Sequence, residues 1–288
     1  MAMQWIGILF VFTFVIGLIA PIGGVGGGVL FVPLATAFFP FSVDFIRGAG
    51  LIMSLTSALS SAPQLINKGL ANVKILPPIV IVSTITSIIG SVVGLWITNV
   101  FPLGEAYFTL SLGVILLFIF IVMVTSKRVE YPVVGRIDAF SKKLGLKGAW
   151  YEPSLNNIIE YETTNLPLGM ITFSAVGFIA GMFGLGAGWA SVPVLNLIMG
   201  VPIKASVATS MAIIAVNSAA ASWVYIAKGA MLPLICIPSV LGITIGARIG
   251  AKLVEKAKPL FIKYLVLGIM IFAAILDILK GLRGMGII

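Results

Sequence analysis

Apolar runs dominate this chain, and its polar residues mostly fall between them. Apolar segments occupy residues 5–20, 29–39, 46–66, 75–99 and 105–125. A polar stretch covers 126–166, and apolar segments return at 167–182, 189–199, 204–226, 231–252 and 260–280. None of them alternates with the period of two that a membrane β-strand needs. Most approach the roughly 20 residues that a membrane-spanning helix requires. The pattern predicts an all-α integral membrane protein with five apolar segments, a linker and five more. In these terms residues 1–125 form a first transmembrane repeat, 126–166 a polar linker and 167–288 a second transmembrane repeat.

The halves read as an internal duplication. Shifting the chain by 160 places Gly17, Gly24, Gly26, Gly28, Val32 and Pro33 on Gly177, Gly184, Gly186, Gly188, Val192 and Pro193. Without any gap, Lys68 and Gly69 then meet Lys228 and Gly229. After a four-residue deletion Gly90-x-x-x-Gly94 meets Gly246-x-x-x-Gly250. Unrelated apolar stretches share Leu, Ile and Val, but not this glycine and proline spacing.

Segments 29–39 and 189–199 follow the glycine clusters and are too short. Eleven residues rise about 16 Å, half of the ~30 Å hydrocarbon core. They are predicted to be half-helices, each with a proline (Pro33, Pro193) in its first turns, where a helix best tolerates one. If each half crosses the membrane an odd number of times, the halves are inverted with respect to each other. Charge supports that parity. Loops 67–74, 126–166, 200–204 and 252–263 then share one side and hold thirteen Lys and Arg. Arg47, Lys228, Lys280 and Arg283 hold the other. Even parity would split them about eleven to six. By the positive-inside rule the linker is expected in the cytoplasm and both chain ends outside, in a multi-pass protein of the cell membrane.

Composition agrees. The 288 residues are 60% hydrophobic and 9% charged, with mean hydropathy +1.18. The net charge of +9 is explained by topology, so nucleic acid is not an expected partner; the bilayer is. The run from Trp5 to Ala20 lacks a basic region before it and is read as the first membrane segment, not a removed signal. Cys236 is the single cysteine and there are no histidines. That removes the usual nucleophile–base and metal sets, so no enzyme, metal or cofactor is expected.

Glycine turns at membrane depth need protein or a wet cavity to satisfy their backbone. Each turn leads into a helix whose first N–H groups have no intrahelical partner and carry about half a positive charge. Two such ends facing each other would bind an anion without a charged side chain. The candidate site comprises Gly24, Gly26, Gly27, Gly28, Gly184, Gly186 and Gly188, with Ser57, Thr209, Ser210 and Asn217 beside them. Gly90, Gly94, Gly246 and Gly250 read as close helix packing instead. Asp44 and Arg47 could pair at a segment junction, and Asp277 is expected to pair with Lys280 three residues on. Arg248 is expected to snorkel to the basic loop at 252–258. No carboxylate sits mid-helix beside the glycine clusters, which argues against a proton relay there and against a cation substrate. Within the linker, Val134 to Leu146 could form a short amphipathic helix with Val134, Ile137, Phe140 and Leu144 on one face.

GGVGGGVLFVP at 23–33, GLGAGWASVP at 184–193, ATS at 208–210 and GARIGAKL at 246–253 together resemble the TauE/SafE family of sulfite and organosulfonate transporters. The likeness covers both halves but not the linker. It implies a permease for a small sulfur-containing or carboxylate anion, working as an exporter or an importer. From the inverted halves themselves, alternating access is the expected mechanism, with an anion-selective channel as the near variant. This chain has Thr209-Ser210 in its second half but Gly48-Ala49-Gly50 in its first, so the two half-sites are chemically unequal. Assembly into a homo-oligomer is left open.

Overall fold

The computed structural model describes residues 2–125, 137–152, 156–253 and 259–287. The first half contains α1 (Ala2–Gly23), the short α2 (Gly28–Phe38), α3 (Val43–Asn67), α4 (Leu76–Val100) and α5 (Gly104–Thr125). The second contains α7 (Leu166–Phe183), the short α8 (Gly188–Pro193), α9 (Ile203–Ala227), α10 (Pro233–Leu253) and α11 (Pro259–Gly284). Between them lie α6 (Ala139–Lys143) and a β-hairpin, β1 (Lys147–Glu152) and β2 (Asn157–Glu162), paired antiparallel with Trp150 opposite Ile159. Seven helices among the described residues are long and apolar enough to cross a membrane, and α11 adds 26 residues.

Both short helices appear where the chain predicts them, shifted by one residue. α8 continues into a π-turn, Val194–Ile198. The change of winding begins directly after Pro193, which has no N–H for the regular ladder. α2 folds back along α1. Trp5 near the start of α1 meets Phe39 and Phe41 just beyond α2, at 5.6 and 5.8 Å between rings.

Small residues set the helix pairs. Gly242, Gly246 and Gly250 of α10 face the carbonyls of Phe10, Phe14 and Leu18 in turn, so α1 and α10 run parallel. Gly177 and Gly181 of α7 face Ser83 and Ser87 of α4 in the same sense. The packing reading of Gly90, Gly94, Gly246 and Gly250 holds: each lies against the backbone of a neighbouring helix. α3 and α9, at equivalent places in the two halves, pass each other antiparallel. Gly48 meets Tyr225 and Ala230 at one end, and Asn72 donates its N–H to Thr209 Oγ1 at the other.

The linker differs from expectation. The amphipathic helix read over 134–146 begins partly outside the described residues. Its described part is helical only over Ala139–Lys143, started by Asp138, whose carboxylate accepts from Ser141 N–H. Phe140 and Leu144 are exposed. The hairpin had no clear strand pattern in the sequence. It is anchored by buried Trp150 against Tyr161. Burial pushes the Tyr161 hydroxyl up to about 12, so it stays neutral.

Candidate functional site

The first break is built from three glycine-permitted steps. α1 closes with the N–H of Gly24 on Pro21 O and that of Val25 on Ala20 O, both 3.2 Å. This double cap demands a left-handed residue, and Gly24 supplies it at φ +66°. Gly26 turns again at φ +74°, and α2 starts at Gly28. The second break repeats the geometry, with Gly184 and Gly186 both at φ +71° and α8 starting at Gly188.

The two breaks cross at mid-length of α3 and α9. Gly188 lies directly on the backbone of Val25, and Gly28 lies against Leu185 O and Gly50 O. Ser54 of α3 joins them. Its hydroxyl accepts from Gly28 N–H at 2.9 Å and donates to Leu185 O at 3.1 Å. Ser54 and Ser218 also flank Gly186: a Cβ there would come within 2.5 Å of one hydroxyl and 3.4 Å of the other. Ser210 donates to Gly24 O at 2.9 Å. Gly26 is covered by Ile214, and Gly27 by Ile243 and the Met53 carbonyl.

Polar groups without partners gather around this crossing. Ser57 Oγ, Ser218 Oγ, Asn217 Nδ2 and Trp189 Nε1 are buried and make no hydrogen bond. Asn217 is oriented by its carbonyl oxygen, which accepts from Thr84 at 2.6 Å and Ser83 at 3.2 Å. Among the described residues no acceptor takes the N–H groups of Gly26, Gly27, Gly186, Ala187 or Gly188. The halves differ here as well. Ile214 stands where the 160-residue shift would place a second Ser54, so Gly28 N–H is capped and Gly188 N–H is not.

The structure therefore brings the seven glycines and Ser210 together, with Ser57 on the adjoining turn of α3 and Asn217 beside Ser218 on α9. Thr209 is placed elsewhere, holding the turn after α3 through Asn72. Ser54, Ser218 and Trp189 complete the cluster. Ser54 and Ser218 are two of many hydroxyls on α3 and α9, and nothing in their spacing singles them out. Replacing Ser54 by alanine is expected to destabilise the protein by about 1–3 kcal/mol, because it strips partners from two buried backbone groups at once. Ser61→Ala should be much milder, since that hydroxyl bonds only carbonyls of its own helix. Thermal unfolding in detergent compares the two, and equal losses would remove the bridging role.

Charges near the crossing are neutralised. Arg47 is wholly buried beside Gly184. It pairs with Asp44 at 3.1 Å, as the junction predicted, and donates to Gly94 O. Its guanidinium carbon lies 4.1 Å from the centre of the Phe108 ring and 5.4 Å from that of Tyr225. Two open cavities lie at opposite ends of α3. One of about 540 Å³ is lined by Ser42, Asp44, Asn99 and Lys228, among others. The other, about 420 Å³, is lined by Thr56, Ser60, Gln64 and Arg248. Arg248 thus lines this second cavity; most of the basic loop it is expected to reach lies outside the described residues.

Interrupted spans whose glycine turns cross within a bundle of membrane-length helices define a multi-pass membrane protein of the transporter class. The chain belongs to the TauE/SafE sulfite exporter family, which it matches over residues 9–276. It is 26% identical over 260 residues to the probable membrane transporter protein YunE of Bacillus subtilis (strain 168). That alignment covers 86% of this chain and 88% of the relative. No solved structure matches it. As a family member it is a membrane transporter and not an enzyme.

Proposed function

We propose that this transporter carries a small sulfur oxyanion, sulfite or an organosulfonate, by alternating access between two inverted repeats. The anion would sit at the crossing of the breaks, held by the free amides of Gly26, Gly27, Gly186 and Gly188 and by Ser57 and Asn217, while Gly24, Gly28, Gly184 and Ser210 shape and fasten the turns that present them. Ser218 and Trp189 extend this set. Thr209 would contribute through the turn it holds. The observation that carries the reading is the set of backbone and side-chain donors without acceptors, buried where two helix starts meet. Such donors favour an anion strongly in a dry setting.

The family's description as sulfite exporter, and a match that spans both halves, support the substrate class. The antiparallel pairing of α3 with α9 supports inversion. The cavities at the two ends of α3, separated by the buried crossing, suit an occluded carrier conformation; rocking one half against the other would open either side. The linker is assigned to the cytoplasm on the charge balance alone.

The test is uptake of labelled sulfite into proteoliposomes, joined to thermal stabilisation by sulfite, sulfate, thiosulfate, taurine and small carboxylates. Saturable uptake with counterflow is expected, along with stabilisation by a sulfur oxyanion. Non-saturating flux without counterflow would indicate a channel, and stabilisation only by carboxylates would change the substrate class. Gly26→Val and Gly186→Val should abolish the anion-dependent stabilisation while the protein still inserts, because a β-branched residue resists φ near +70°. If both variants bind sulfite as the parent does, the turns serve packing alone.

A further inference from the structure

Asp277 does not form the local pair that its spacing from Lys280 suggests. It lies in α11, completely buried, and neither carboxylate oxygen has a hydrogen-bond partner. Lys280 has turned the other way: its ammonium donates to the carbonyl of Thr36, in the last turn of α2. A cation is favoured there by the negative end of the helix dipole. The Thr36 hydroxyl is itself buried without a partner.

α11 packs on α5, α2 and α1. α1 and α2 contain no titratable side chain. α5 offers Glu105 and Tyr107 in its first turn, at the level where Ala106 meets Gly284, about two turns beyond Asp277. On α11 itself Lys280 and Arg283 follow Asp277, and Lys280 is one turn away. Asp277 is therefore a buried carboxyl group with a single near charge, and that charge is engaged with a half-helix.

We propose that Asp277 binds a proton whose movement is coupled to that of the anion, and that Lys280 passes its state to α2. The proposal rests on the transport reading above. With Asp277 neutral, Lys280 holds the end of α2, as observed. With Asp277 ionised, a dry unpaired carboxylate is unfavourable, and the ammonium on the same helix face is drawn from Thr36 toward it. α2 is a rod about 16 Å long whose other end is Gly28 at the crossing. Gain or loss of one proton thus acts on the element that positions the first break. The proton site lies away from the glycine clusters, so the lack of a carboxylate beside them is no obstacle to coupling.

The experiment uses full-length protein in proteoliposomes and labelled sulfite, with two readings: exchange at equal concentration and pH, and net accumulation under an imposed pH gradient. The parent should show both. Asp277→Asn should retain exchange and lose accumulation by about tenfold or more. Asp277→Glu, which keeps the proton-binding group, should restore much of it. The assignment is overturned if Asp277→Asn accumulates sulfite like the parent, or if a folded Asp277→Asn loses exchange and accumulation together. It is overturned equally if the parent exchanges sulfite but accumulates it only under a sodium gradient or not at all. A parent without exchange fails at an earlier step, which removes the sulfite transport reading and this assignment with it.

Discussion

Replacing Gly188 by alanine is expected to abolish sulfite-dependent stabilisation and uptake, and to destabilise the protein by about 3 kcal/mol or more. The added methyl would fall on the carbonyl group and Cα of Val25. These are backbone atoms of the opposite break, so no side chain can rotate aside. The breaks must part, taking with them the amides of both helix starts. Gly69 provides the control. It has φ +71° but open space around its Cβ position, so Gly69→Ala should show only the left-handed backbone penalty of about 1–2 kcal/mol and bind sulfite normally. Unfolding curves and sulfite titrations of both variants decide the matter. A stable, sulfite-binding Gly188→Ala protein would mean that the two breaks are not held in backbone contact.

Arg47→Met should be nearly as damaging for a different reason. Removing one partner of a buried ion pair typically costs about 3–5 kcal/mol, largely because the other charge is left uncompensated. Asp44 is partly exposed on the open cavity and bonded by Thr98, which puts the cost here at about 3 kcal/mol, the low end of that range. Here the loss also strips Gly94 O of one of its two side-chain donors, leaving that of Thr98, and the Phe108 and Tyr225 rings of their cation. Since Arg47 ties α3 to α4, α5 and α9, the variant should unfold early in detergent and insert at reduced yield. Adding Asp44→Asn removes the stranded charge and should recover more than half of the loss. A single variant as stable as the parent would show that Asp44 and Arg47 are solvated and that the pair is incidental to the fold.

The glycine turns were legible because their requirement is local. A double cap on α1 needs φ near +66°, which glycine adopts freely, and Gly24 and Gly184 mark it at equivalent positions. Half-length segments with an early proline were legible for the same kind of reason, since length and missing N–H groups are properties of the chain itself. The Asp44–Arg47 pair followed from spacing on one helix face. Asp277–Lys280 has that same spacing, yet Lys280 reaches Thr36, which is 244 positions away. Spacing states which contacts are available, and the neighbouring helix decides which is made.

Ser54 makes the same point at the crossing. The segment also holds Thr56, Ser57, Ser60 and Ser61, all chemically able to cap a helix start. Only the rotation of α3 against α2 and α8 puts one of them between Gly28 and Leu185. Thr209 and Ser210 are adjacent, yet one holds the turn after α3 and the other the first break.

By itself, then, the sequence determined the membrane class, the two broken spans and the glycines that break them, because hydrophobic length and permitted φ are set by nearby residues. The tertiary structure alone decided that the breaks lie backbone on backbone, that Ser54 bridges them and that Lys280 leaves Asp277 unpaired. Those outcomes depend on helix rotation and approach, which are fixed by the sum of many weak contacts between segments far apart in the chain.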